Sequence, residues 1–138
     1  MNKERTLAII KPDGMKNIDK IIEMIYNNDL KITNYQVKLL EVELLNEHYA
    51  HVIDRPFYPE LVAYMTSGEV AIMVLEGDNA VSKFRTLMGP TDSAQAEKGT
   101  IRGEFGTDKT FNAVHGSDSV ENAEIEINRF FKTKQKIK

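Results

Sequence analysis

Apolar segments of two kinds alternate along this chain, and their order restricts the fold more than any other feature. Short apolar runs favour buried strands, whereas apolar residues spaced three and four apart favour amphipathic helices. Strands are predicted at residues 7–10, 31–42, 70–75 and 111–114. Helices are predicted at residues 18–25, 44–52, 59–65, 79–88 and 120–131. Four strands interleaved with helices in this order predict an α+β fold, a ferredoxin-like sandwich of the split βαβ type.

Polar and glycine-containing stretches separate these segments. Residues 27–29 (NND) end the first helix, and Asn79 is expected to cap the fourth, which Gly89 and Pro90 then stop. Residues 91–108 read as an irregular loop, and loops of that length are often functional.

Composition limits the class of protein. A chain of 138 residues forms one domain, 1–138, with enough length for a single core. It has no cysteine, which excludes disulfides and thiolate metal sites. Its net charge of −3 argues against nonspecific nucleic-acid binding, and no apolar run is long enough to cross a membrane. The charged N-terminus lacks the apolar core of a signal peptide, so we expect a cytoplasmic location.

One histidine stands where the last strand meets the last helix. Residues 112–119 (NAVHGSDS) place His115 between an apolar strand end and a turn of helix-capping residues. Free amides at a helix N-terminus attract phosphate. From the residues alone, His115 is either a buried imidazole with satisfied hydrogen bonds or a functional group. His48 and His51 lie three apart with no third metal ligand at a suggestive spacing, so we expect a wet helix face.

Three segments together closely resemble the signatures of nucleoside diphosphate kinases. They are residues 4–14 (ERTLAIIKPDG), 99–105 (GTIRGEF) and 112–119, and they occur in that family's order and spacing. The resemblance extends from about Glu4 to Phe131. It implies the same fold, an antiparallel four-stranded sheet with helices on its faces.

The resemblance implies that His115 is a nucleophile that carries a phosphoryl group between two nucleotides by a ping-pong mechanism. Imidazole has an unperturbed pKa of about 6.5, so much of it is neutral and nucleophilic at physiological pH. The family places Glu126 and Ser117 beside this imidazole, where a carboxylate fixes the tautomer. From the residues alone, Glu126 is also consistent with an exposed helix residue and Ser117 with a simple cap.

The resemblance also implies a nucleotide site. It assigns the phosphates to Arg85, Thr91 and Arg102, the sugar to Lys11 and Asn112, and the base to Phe57 with Leu61 nearby, and it places Tyr49 close to the catalytic centre. Arginine suits phosphate because its fork binds two oxygens at once. Stacking accepts any base, so both purine and pyrimidine nucleotides, ribo and deoxy, are expected. Taken singly, Arg85 and Arg102 are typical of surface arginines, and Phe57 is typical of ordinary core packing.

No clustered carboxylates suggest a metal cage, so Mg²⁺ is expected to arrive on the nucleotide phosphates, with Asp118 as an outer-shell partner or a helix cap.

The family implies a homo-oligomer, either a tetramer or a hexamer built from dimers, and Ile125 points away from the apolar stripe of the last helix. Lys109 departs from the family pattern, standing where an apolar residue usually faces Phe57 across the base. The segment after Gly14 is two residues shorter than is usual.

Two other functional classes predict different sequence features. A nucleotide-binding regulator without turnover predicts damage at His115, Glu126 or Arg102, and the sequence shows none. A ferredoxin-like RNA-binding module needs aromatic-rich strand motifs and a basic face, which the sequence lacks.

Overall fold

A computed structural model describes residues 3–107 and 112–131. The strands are β1 (Lys3–Ile10), β2 (Lys31–Lys38), β3 (Val70–Asp78) and β4 (Val114–Gly116). The helices are α1 (Ile18–Asn27), α2 (Val42–His48), α3 (Tyr58–Met65), α4 (Ala80–Met88), α5 (Ile101–Phe105) and α6 (Val120–Phe131). Short 3-10 turns span Pro12–Asn17, Ala50–Val52 and Ser93–Gln95.

The four strands form one antiparallel sheet in the order β2-β3-β1-β4. The central strands β1 and β3 are buried on both faces, which explains their continuous apolar runs. On one face Ala8 and Ile10 pack in a cluster with residues of α1 and α4. On the other face Leu7 and Ile9 pack with residues of α2, α3 and α6. The predicted ferredoxin-like α+β sandwich, an antiparallel sheet with helices on its faces, is confirmed.

Strand β2 ends earlier than the sequence predicted. We expected it to reach Val42, but it stops at Lys38, and Val42 instead begins α2. Leu40 turns into the core, and Leu45 and His48, three residues apart, then share the buried face of α2. The loose alternation of apolar and polar residues up to Val42 suggested a strand. The helical spacing of α2, which begins at Val42, determines the structure there instead. The predicted helix 44–52 divides into α2 and the separate turn Ala50–Val52.

The region expected to be irregular, residues 91–108, contains the turn Ser93–Gln95 and helix α5. Thr100 begins α5 as an N-cap, its hydroxyl oxygen accepting a hydrogen bond from the Gly103 amide at 3.0 Å. At five residues, α5 is too short for sequence periodicity to reveal.

The last strand also differs from the prediction. It spans Val114–Gly116, so His115 lies within the strand, opposite Ile9 of β1, rather than beyond its end. Ala113 precedes the strand in a left-handed conformation, with φ of 76°. Phe111 and Lys109 lie outside the described residues. No helix within residues 3–107 and 112–131 has the length and apolar character needed to span a membrane.

The N-terminus of helix α4 is capped by a residue of β1 and not by Asn79, the predicted cap. Asn79 adopts a left-handed conformation, with φ of 55°, and its side chain makes no capping hydrogen bond. Glu4 of β1 takes this role, its Oε1 accepting a hydrogen bond from the Val81 amide at 3.1 Å.

We expect Glu4→Ala to lower the free energy of unfolding by about 1 kcal/mol, the typical cost of losing an N-cap acceptor. Asn79→Gly should change it by no more than a few tenths of a kcal/mol, because glycine adopts the left-handed conformation freely. Urea unfolding of both variants measures the difference. A larger loss in Asn79→Gly than in Glu4→Ala would contradict this assignment of the cap.

Candidate active site

A cleft of about 1120 Å³ opens at the end of the sheet that carries His115. Eleven of the predicted site residues line it: Lys11, Tyr49, Phe57, Leu61, Arg85, Thr91, Arg102, Asn112, His115, Ser117 and Asp118. The other residues of the lining, for which no role in a site was predicted, are Thr86, Met88, Gly89, Pro90, Gln95, Glu97, Thr100 and Gly116. Glu126 is absent from the lining because it contacts His115 from α6.

The imidazole of His115 is held from one side. Its Nε2 lies 3.1 Å from Oε1 of Glu126, and the Ser117 hydroxyl donates to the same oxygen at 2.7 Å. The Ser117 hydroxyl oxygen in turn accepts a hydrogen bond from the Leu7 amide of β1 at 3.2 Å. Because a carboxylate only accepts, Nε2 of neutral His115 carries the proton and Nδ1 holds the lone pair. Nδ1 has no hydrogen-bond partner among the residues that the structure describes.

The carboxyl group of Glu126 remains ionised despite being partly buried. Burial by itself would raise its pKa, but hydrogen bonds from His115 and Ser117, together with the charge on a protonated His115 ring, hold the pKa below its ordinary value. Glu126 therefore fixes the ring orientation and supports positive charge that develops on it.

Arg102 reaches the cleft from α5 and is anchored by backbone carbonyls. Its Nη1 donates to the Gly89 carbonyl at 3.0 Å and its Nη2 to the Val114 carbonyl at 2.9 Å. Burial lowers its pKa to about 10, with further repulsion from the exposed Arg85. No carboxylate within the described ranges pairs with Arg102, so the guanidinium keeps its charge available to an anion.

Lys11 lies just beyond the end of β1, with only 7% of its surface exposed. Its Nζ donates to Oδ1 of Asn112 at 2.9 Å, and Nδ2 of Asn112 donates to the Thr91 carbonyl at 2.9 Å. Burial, together with the charge of Arg102, lowers the pKa of Lys11 to about 8. A poorly compensated cation next to Arg102 favours binding of an anion between them.

Aromatic and apolar side chains form the other side of the cleft. Phe57 precedes α3 with 50% of its surface exposed, and Leu61 is half-buried one helical turn later. Tyr49 is half-buried, and burial together with the charge of Glu126 raises its pKa, so it remains a neutral phenol. An exposed aromatic face beside buried cations suits a ligand with a flat ring and an anionic tail.

His48 does not lie where the sequence predicted. It was expected on a wet helix face, but it is buried and its ring centroid lies 4.9 Å from that of His115. Its Nδ1 lies 2.9 Å from Nη1 of Arg129, a residue to which no role was assigned. Burial and the nearby charge of His115 keep the pKa of His48 well below its ordinary value. The available signal was the three-residue spacing from the core residue Leu45.

Asp118 stands exposed at the edge of the cleft. Its Oδ1 accepts a hydrogen bond from Nδ2 of Asn122 at 2.6 Å. Ser119 is the N-cap residue of α6, since its Oγ accepts from the Asn122 amide at 3.0 Å. The alternative that Asp118 caps the helix is therefore wrong.

Comparison with known proteins identifies relatives of this chain. The sequence pattern of the nucleoside diphosphate kinase family matches residues 4–136. A nucleoside diphosphate kinase of Wolbachia pipientis wMel is 52% identical over 130 residues, which are 93% of this chain and 94% of that protein. One from Helicobacter pylori strain P12 is 48% identical over 134 residues, or 96% of this chain and 98% of that protein.

Solved structures agree with the sequence comparisons. The nucleoside diphosphate kinase of Aquifex aeolicus superposes with a TM-score of 0.88 at 42% identity, covering 94% of this chain and 95% of that one. The halophilic enzyme of Halobacterium salinarum, solved in complex with CDP, gives a TM-score of 0.89 at 41% identity, covering 94% and 88%. With the family pattern matching nearly its whole length, this chain belongs to the nucleoside diphosphate kinase family.

Proposed function

We propose that this chain transfers the γ-phosphate of a nucleoside triphosphate to a nucleoside diphosphate through a phosphohistidine at His115. Family membership supplies the reaction class. The observation that supports the residue assignment is the hydrogen bond between His115 Nε2 and Glu126, which leaves Nδ1 with its lone pair. In the first half-reaction, Nδ1 attacks the γ-phosphorus, the bond to the bridging oxygen breaks, and the diphosphate leaves. In the second, an oxygen of another diphosphate attacks the same phosphorus and Nδ1 leaves.

Positive groups on the cleft wall are the proposed phosphate site. Arg85, Arg102 and Lys11 supply charge, and Thr91 supplies a hydroxyl at the start of the long loop. Phosphoryl transfer spreads negative charge over the equatorial oxygens, so fixed countercharge stabilises the transition state. Because Arg102 is held by two carbonyl groups, it needs little reorganisation when a phosphate arrives.

The nucleoside is proposed to bind with its base against Phe57 and Leu61. The half-exposed ring of Phe57 offers a stacking surface at the cleft, and stacking favours no particular base. Asn112 and Lys11, already hydrogen-bonded to each other, are the proposed partners of the sugar. Tyr49 lies on the same wall, near the nucleophile. The partner set is therefore nucleoside tri- and diphosphates of both the ribo and deoxy series.

The residues of the cleft fit a divalent cation that arrives with the substrate, and we propose Mg²⁺. Within the described residues, no group of three carboxylates converges in the cleft to form a protein cage. Mg²⁺ prefers oxygen ligands, so phosphate oxygens and water would hold it, with Asp118 at the edge as an outer-shell partner. When bound, the ion neutralises phosphate charge.

We also propose a homo-oligomer built from dimers, either a tetramer or a hexamer. Strand β2 is an edge strand, and Tyr35, Val37 and the neighbouring Leu39 are exposed on or beside it. An exposed apolar edge strand is a ready surface for pairing with another chain. Ile125 adds an exposed apolar side chain on α6.

His115→Ala is expected to reduce phosphoryl exchange by about 10⁴-fold or more, because the variant lacks the nucleophile. Incubation with γ-labelled triphosphate should give wild-type protein an acid-labile, alkali-stable label and leave the variant unlabelled. His51→Ala is the matched control, since His51 is exposed and has no proposed role.

Steady-state kinetics test the same mechanism. A phosphohistidine shared by both half-reactions predicts parallel lines in double-reciprocal plots at several fixed concentrations of the second nucleotide. Intersecting lines, or a labelled His115→Ala protein, would exclude the phosphohistidine route.

The KM for a nucleoside diphosphate is expected to rise as pH increases from 7 to 9. Burial lowers the pKa of Lys11 to about 8, so its ammonium is charged below that pH and loses charge above it. At pH 9 about one Lys11 in ten remains charged, and losing a charged hydrogen bond permits an increase of up to about tenfold. The measurement is KM against pH in wild type and in Lys11→Arg. The arginine variant, charged throughout, should show a flat profile, and a wild-type profile equally flat would refute the assignment.

Sedimentation is expected to show a multiple of 15.7 kDa at micromolar concentration. Val37→Lys places a charge on the exposed edge of β2 and should shift the distribution towards smaller species. Tyr26→Lys, which is also exposed but lies on α1, is the control. A wild-type protein that sediments as a 15.7 kDa monomer rules out the oligomer.

A further inference from the structure

Behind the cleft, three side chains form a group that could bind a transition metal. His48, His115 and Glu126 each offer one ligand atom, and these atoms all lie within 4.8 Å of one another. Two imidazoles and a carboxylate are a ligand set that binds zinc in enzymes, with the fourth position open. Imidazole nitrogen suits zinc, cobalt and nickel far better than magnesium. The nucleophile of the proposed reaction is thus one of three potential zinc ligands.

A metal ion bound to this group would prevent His115 from acting as the proposed nucleophile. A metal on Nε2 of His115 needs the lone pair of that nitrogen, so the ring proton must move to Nδ1. Nδ1 would then have no lone pair with which to attack phosphorus. An enzyme that works with a magnesium nucleotide therefore gains from keeping other divalent metals off this group.

Arg129 opposes metal binding through His48. Its Nη1 donates to Nδ1 of His48 at 2.9 Å, and a guanidinium has no lone pair with which to accept a hydrogen bond. Nδ1 of His48 is therefore occupied as an acceptor, and Nε2 of a neutral ring carries the proton. Neither nitrogen is then available: one faces Arg129 and the other is an N–H. The positive charge of Arg129 further disfavours a cation.

The position of Arg129 is itself secured. Its Nε lies 3.6 Å from Oε2 of Glu47 on α2, and its side chain is largely buried between α2 and α6. The ring of His48 also packs edge-on against Phe130, at a centroid distance of 5.1 Å. These contacts fix Arg129 and His48 in the arrangement that consumes the imidazole lone pair.

We propose that Arg129 determines metal specificity at this centre, keeping zinc and similar ions off the His48, His115 and Glu126 group. The consequence for turnover rests on His115 being the phosphate acceptor, as proposed above, whereas the binding of metal does not. Removing Arg129 should convert the group into a zinc site.

The test is zinc binding to the nucleotide-free protein, measured by calorimetry after treatment with a chelator. Arg129→Met should bind one zinc per chain with a Kd about tenfold or more below that of wild type, the scale on which partners of metal ligands act. Arg129→Lys keeps a donor that cannot accept, so it should bind zinc as weakly as wild type. Arg5→Met is the matched control. Arg5 lies on β1 and pairs with Glu124 at the exposed surface of α6, the helix that carries Arg129. If Arg129→Met fails to fold, Arg129→Gln replaces it, because an amide can accept from Nδ1.

A second substitution locates the zinc. Arg129→Met combined with His48→Asn should return the Kd to the wild-type value, and zinc should inhibit exchange at lower concentrations in Arg129→Met alone, reversibly by chelator. Equal zinc affinity in wild type and Arg129→Met, or tight binding that survives His48→Asn, would overturn the proposal. If the zinc affinities of the variants are as expected but the wild-type protein forms no phosphoenzyme, the proposed function is refuted and this inference stands.

Discussion

The hydrogen bonds to one carboxylate oxygen organise the centre of this molecule. Oε1 of Glu126, on α6, accepts from both the His115 ring and the Ser117 hydroxyl, and Ser117 accepts from the Leu7 amide of β1. A helix, the last strand and a central strand are therefore tied together at His115, the proposed nucleophile. Two donors on one oxygen outweigh the cost of burying the charge, which is why Glu126 stays ionised where burial alone would favour its neutral form. The tautomer of His115, and with it the reactive nitrogen, follows from that charge.

The backbone just before His115 is held in an uncommon conformation by contacts on both sides. Ala113 has a positive φ, and its carbonyl accepts the Lys11 amide at 2.8 Å. Gly14 packs so closely that a Cβ there would lie 2.7 Å from this same carbonyl oxygen. Strain of this kind persists only where the surroundings impose it. Here it brings Asn112 and His115, on either side of the bend, to the same cleft as Lys11.

The sequence predicted those parts of the fold and site that depend on neighbouring residues. Buried strands β1 and β3 appeared as apolar runs, and six of the predicted cleft residues lie in three local motifs: Lys11, Arg102, Asn112, His115, Ser117 and Asp118. Two of the errors concern contacts between residues far apart in the chain. Glu4 caps a helix 77 positions away, and Arg129 reaches His48 across 81. No periodicity within either segment encodes such pairs. The spacing of His48 from the core residue Leu45 indicates a shared face of α2, but its contact with Arg129 depends on α6 packing over α2.

Two imidazoles 4.9 Å apart have opposite chemical roles because their partners differ. His115 faces an acceptor, so its bonded nitrogen carries the proton and the other nitrogen has a lone pair. His48 faces the guanidinium of Arg129, which can only donate, so the lone pair on Nδ1 of His48 accepts that hydrogen bond. Burial then disfavours protonation of His48, which would place a positive charge beside the His115 ring. One residue type thus supplies the proposed nucleophile at one position and a neutral neighbour at the other, and the difference lies in their partners Glu126 and Arg129 on α6.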